Sequence, residues 1–130
     1  MPIHLNWGDV DETFLILNFD GRWSGEDLYS SLKDFYDRIA TKDHPIELMV
    51  DMRQSLAPPQ HLVTMLRSII NRPHDVNVKR VVVIVNSNFW QRIFSVIAQS
   101  AQRDISKKVT FVNTVDEAYS MLDVYQDMYS

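Results

Sequence analysis

Two carboxylates stand where an apolar run gives way to polar residues. Asp20 follows Thr13-Phe14-Leu15-Ile16-Leu17-Asn18-Phe19, and Asp51 closes Ile46-Glu47-Leu48-Met49-Val50. If both runs are parallel strands, the acids share one rim. Oxygen donors there suit a hard cation such as magnesium, held by Asp20 and Asp51, and Asp51 alone would suit a phospho-acceptor. The plainer alternative is that Asp, Asn and Ser populate strand ends because their short side chains bond nearby backbone groups. A receiver-type site would add paired acids after the first strand, and none is evident in the sequence.

A second group is apolar. Trp23 follows the second run, Trp90 begins a later amphipathic stretch, and Met49, Met52 and Met65 lie between them in sequence. Gathered at the carboxyl edge of a sheet, with Asn86 as a polar neighbour, these side chains would suit an acyl chain or a flat ring. The same residues are also what a core between helices and sheet is made of. Both readings stay open. His4, His44, His61 and His74 are scattered, with no two at metal-ligand spacing on one helix, and no Gly-x-Ser-x-Gly elbow presents a serine nucleophile.

The elements that must position these residues follow from periodicity. Ile3 to Trp7 alternates apolar and polar, Gly8 to Glu12 has turn composition, and Thr13 to Phe19 is β-rich, so a hairpin is expected. Asp20 to Trp23 leaves the sheet. Ser24 caps a helix in which Leu28, Leu32, Phe35 and Ile39 form one apolar face. Ile46 to Asp51 is the third strand and Met52 to Ala57 an irregular loop. Pro58-Pro59 opens a helix carrying Leu62, Met65, Leu66, Ile69 and Ile70, which Pro73 stops. Arg80 to Val85 reads as a strand buried on both faces, followed by a helix from Ser87 or Asn88 through Trp90, Ile93, Phe94, Ile97 and Ala101. Lys108 to Val112 is a fifth strand, and Thr114-Val115-Asp116-Glu117 fits a capping box before a last helix. The fold class is therefore α/β. A five-stranded, mostly parallel sheet is expected in the order β-β-α-β-α-β-α-β-α, its first strand antiparallel, with four helices on both faces.

Composition narrows the function classes. A chain of 130 residues is most simply one domain. With no cysteine there are no thiolate metal sites, iron–sulfur clusters or disulfides, which suits a reducing cytoplasm. Thirteen Lys and Arg against 17 Asp and Glu give a formal charge of −4, and no basic block exceeds Lys107-Lys108, so nucleic acid is a poor partner. The three glycines make no Gly-x-Gly loop for phosphates, and no cofactor is expected. No signal-like leader or transmembrane segment is evident, so a cytoplasmic location is expected.

The pattern resembles the STAS-like fold of anti-sigma-factor antagonists, in particular the bacterial SpoIIAA-like family, related in fold to CRAL-TRIO lipid-transfer domains. The resemblance is carried by Phe19-Asp20-Gly21-Arg22-Trp23-Ser24-Gly25-Glu26-Asp27-Leu28, by Leu48-Met49-Val50-Asp51, by Lys79 to Val85 running into Phe89-Trp90, and by Phe111 to Leu122. It implies a non-enzymatic regulatory or protein-interaction module whose partner is another protein or a second copy of the chain as a homodimer. The alternative is a carrier or sensor of a small apolar or lipid-like ligand held near Trp23, Met52, Met65, Asn86 and Trp90. Anti-sigma-factor antagonists carry a phosphorylated Ser or Thr after the strand that here ends in Asp51, within an Asp-Ser-x-Gly-like segment. Here Ala57-Pro58-Pro59-Gln60 stands near that position, and Ser55, slightly earlier, is the remaining phosphorylation candidate. A phosphate there would add about two negative charges beside a helix start.

Overall fold

The computed structural model describes residues 2–56, 78–85, 92 and 109–122. Five strands and two helices lie in this part: β1 (Ile3–Trp7), β2 (Phe14–Gly21), α1 (Gly25–Ala40), β3 (Ile46–Ser55), β4 (Val78–Ile84), β5 (Val109–Val112) and α2 (Val115–Met121). The strands form one sheet in the order β1-β2-β3-β4-β5. β1 pairs antiparallel with β2, and the remaining neighbours are parallel, as the pattern of runs predicts. The helix expected from Pro58 falls outside the described residues, as does the one expected from Ser87 or Asn88 to Ala101 apart from Arg92, which is helical.

Alternation along the strands sorts the apolar side chains onto two faces. Leu15, Leu17 and Phe19 of β2 join Leu48, Val50 and Met52 of β3 and Val83 of β4 on one face, where α1 adds Leu28, Phe35 and Ile39. Phe14, Met49, Val82, Ile84 and Val112 turn to the other, where Ala118 and Leu122 cover them. A central strand with both faces filled has no place for polar side chains, which is why Val81 to Val85 carries none. Each such aliphatic side chain, taken fully out of water, contributes roughly 2 kcal/mol.

Local chemistry fixes the ends. In the β1–β2 turn, Asp9 accepts the Thr13 amide at 2.8 Å and the Thr13 hydroxyl, while Glu12 takes a positive φ of 56°. At α1 the Ser24 hydroxyl accepts the Asp27 amide at 3.1 Å and the Asp27 carboxylate accepts the Ser24 amide at 2.9 Å, a reciprocal box. At α2 the Thr114 hydroxyl accepts the Glu117 amide at 3.1 Å.

Two strands run on past the ends that the sequence predicts. β2 continues through Asp20 and Gly21, and β3 through Met52 to Ser55, where loops were expected. The register shifts between Asn18 and Asp20 and then resumes with Asp20 opposite Gln54 and Gly21 opposite Ser55. Gly21 absorbs the change of direction at φ 71°, a conformation that costs a side-chain-bearing residue about 1 kcal/mol. Its carbonyl then accepts the Leu56 amide at 2.9 Å. No helix among the described residues is long and apolar enough to cross a membrane.

Candidate functional site

The prolonged ends of β2 and β3 carry most of the candidate residues that the structure describes. Trp23 is 6% exposed and Met52 2%, and both belong to the core cluster on the α1 face. The Trp23 ring meets Phe19 edge-on, with centroids 5.0 Å apart. Its indole Nε1–H donates to Ser55 Oγ at 2.9 Å, and the Ser55 hydroxyl in turn lies 3.4 Å from the Leu56 carbonyl. Trp23 and Met52 are therefore packed in the core on the α1 face, and Ser55 is half-buried beside the indole edge. Met65, Asn86 and Trp90, the other members of the expected apolar cleft, lie outside the described residues.

The acids are not cross-strand partners. Asp51 stands opposite Asn18 and Asp20 opposite Gln54, on either side of the register shift. Asp51 is held by Arg53: Nε donates to Oδ1 at 2.9 Å, Nη2 to Oδ2 at 2.7 Å, and the Arg53 amide to Oδ1 at 3.1 Å. Burial pushes the Asp51 carboxyl up, but the Arg53 hydrogen bonds and charge together outweigh it and hold the group below the ordinary carboxylate range. Asp20 is exposed, and its amide donates to the Pro2 carbonyl at 2.7 Å. Among the described residues no three His, Asp or Glu gather as a metal site.

Two further features lie away from the candidate residues named from the sequence. At the opposite end of the strands Glu47 is 4% exposed and faces Arg80 across the β3–β4 register, with Oε2 3.4 Å from Nη1. The same guanidinium reaches the Met121 carbonyl near the end of α2. Desolvation raises the Glu47 pKa, and the charges of Arg80 and Lys79 offset this only in part. The second feature is a cleft of about 360 Å³ along the sheet edge, with Ile3 to Asn6 of β1 as one wall and Ser30, Ser31 and Asp34 of α1 as the other.

This geometry can bind and pack. At the carboxyl end Asp51 is tied to Arg53 while Asp20 is exposed, and among the described residues a cleft opens beside β1. No curated protein matches the sequence. Among solved structures, an uncharacterized protein from the DUF3478 family with a SpoIIAA-like fold, from Shewanella loihica PV-4, aligns over 92% of this chain and 91% of its own, with a TM-score of 0.65 and 16% identity. At that identity the likeness shows the fold alone, and it is the SpoIIAA-like fold that the sequence resembles. The family described as "Divergent CRAL/TRIO domain" matches residues 15–126, nearly the whole length, and the chain belongs to that divergent CRAL/TRIO family.

Proposed function

We propose that the chain is a non-enzymatic regulatory module that works by binding a partner protein. The observation that carries this reading is the engagement of Asp51, Trp23 and Ser55 at the carboxyl ends of β2 and β3. Arg53 occupies both oxygens of Asp51, and the Trp23 indole is donated to Ser55. Side chains committed to holding a fold leave surface recognition as the mode of action. The test is native mass spectrometry of the chain purified from its own cells without detergent. A non-covalent complex with another polypeptide is expected. A chain carrying a lipid-sized adduct and no protein partner would overturn the reading.

That second outcome is what the alternative predicts. A carrier of an apolar ligand is favoured by membership of the divergent CRAL/TRIO family, given the relation of that fold to lipid-transfer domains. Burial of Trp23 and Met52 in the core weighs against those two residues as its lining.

A further inference from the structure

The phase of hydrogen bonding along β1 determines which backbone groups are left over. The Gly8 amide donates to the Phe14 carbonyl at 2.9 Å, and the Asp20 amide to the Pro2 carbonyl at 2.7 Å. With residues paired so that Ile3 faces Phe19 and Trp7 faces Leu15, these two bonds fix the even-numbered residues of β1 as the ones bonded to β2. The amides and carbonyls of Ile3, Leu5 and Trp7 then point away from the sheet, at an edge that no strand covers among the described residues. Ile3 and Leu5 belong to the core cluster and also line the cleft, and unpaired backbone groups along a strand favour a hydrogen-bonding partner. The edge has none of the usual protection against pairing: Ile3–Trp7 holds no lysine, no acid, no proline and no bulge.

The space beside that edge is the cleft walled by α1. Ser30 and Ser31 keep the wall low, and Ser31 is satisfied internally, its hydroxyl donating to the Asp27 carbonyl at 2.9 Å. Asp34 supplies the acid of the wall. Its Oδ1 accepts from Arg38 Nε at 3.1 Å, and 48% of its side chain is exposed. Across α1 as a whole four acids, Glu26, Asp27, Asp34 and Asp37, outnumber two bases, Lys33 and Arg38. A strand edge beside a helix, with a cleft of this size between, is the arrangement in which an extended peptide adds as a further strand. In such a pairing every second side chain of the peptide turns toward the helix. Here it meets serine and aspartate, which select a short or a basic residue.

Building on the reading of the chain as a partner-binding module, we propose that the cleft between β1 and α1 takes an extended segment of the partner protein. The segment pairs with the outward backbone groups of Ile3, Leu5 and Trp7 and places a basic side chain against Asp34. Binding of this kind draws its affinity from the main chain and its selectivity from the helix wall.

The probe is the synthetic peptide acetyl-Thr-Val-Lys-Val-Thr-amide, compared with its Glu-for-Lys analogue and with a version N-methylated on alternate amides. Titration into the isotopically labelled chain should shift and protect the amides of Ile3, Leu5 and Trp7. The Lys peptide should bind about fivefold more tightly than the Glu peptide, the size expected of an exposed ion pair. Asp34→Asn should level the two, and N-methylation should abolish binding. Ser30→Trp, on an exposed helix position, should fill the cleft and abolish binding with the melting temperature unchanged. Unperturbed β1 amides at millimolar Lys peptide would overturn the proposal. So would a dimer of the wild-type chain that Ser30→Trp dissolves, because the occupant would then be a second copy. A partner polypeptide that still binds Ser30→Trp would leave the module reading intact and remove this cleft from it.

Discussion

The indole Nε1–H of Trp23 donates to Ser55 Oγ at 2.9 Å and so ties the segment after β2 to the last residue of β3. Because the ring is buried against Phe19, the bond and the packing can be separated by substitution. Ser55→Ala should cost about 1 kcal/mol, the net worth of one hydrogen bond. Trp23→Ala should cost about 4 kcal/mol, because it also empties a core position. Urea denaturation of both variants measures the difference.

The two shifted carboxyls predict opposite pH dependence. Asp51 sits below its ordinary value, so its contribution is full above the unfolded carboxylate pKa and is lost as pH falls through the folded one. The melting-temperature advantage of wild type over Asp51→Asn should therefore exist at neutral pH and close in acid. It should be worth less than about 1 kcal/mol, because Arg53 is partly in water. Glu47 is raised, so its contribution is full below the ordinary value and is lost as pH rises through the folded one. Glu47→Gln should gain on wild type over that same rise.

The Glu47–Arg80 pair also predicts non-additivity. Arg80→Met leaves a buried carboxylate without its guanidinium and should destabilise by about 2 kcal/mol, discounted for the partial exposure of Arg80. Replacing both residues by methionine should cost less than the single change, and a double-mutant cycle measures the coupling.

Gly8 closes the β1 edge, and a Cβ built there would overlap the buried Phe14 ring. Gly8→Ala should lower stability by about 2 kcal/mol through overpacking. Gly21→Ala meets no neighbour and should cost about 1 kcal/mol from backbone strain alone. Thermal melts of the two variants distinguish the causes: trimming the ring with Phe14→Leu should reduce the Gly8→Ala penalty and leave that of Gly21→Ala unchanged.

How much of this was legible in the sequence depends on what side-chain patterns record. Alternation reports burial, so β1 was bounded correctly at Ile3 and Trp7, and β4 was recognised as buried on both faces. It does not report backbone pairing. Arg53, Gln54 and Ser55 look like a loop because their side chains are polar, yet they extend β3 through pairing with β2. Trp23 was legible as a large apolar residue at the carboxyl edge, but nothing in its neighbours distinguishes a cleft wall from a core member. The β1–α1 cleft left no side-chain pattern, since an edge that no strand covers among the described residues is a property of the assembled sheet. A hairpin followed by parallel strands does place β1 at that edge, which is the one signal that could have found it.

The spatial order of the strands repeats their order along the chain. Each strand after β1 therefore has a neighbour already synthesised when it emerges from the ribosome, and none has to be inserted between two others. The sheet can be laid down from β1 outward during translation, with α1 closing over its first strands before β3 is complete. Two margins then differ in kind: the β1 edge is present from the first hairpin onward, while the other margin is always the most recently made strand and moves along with the nascent chain until β5 is added.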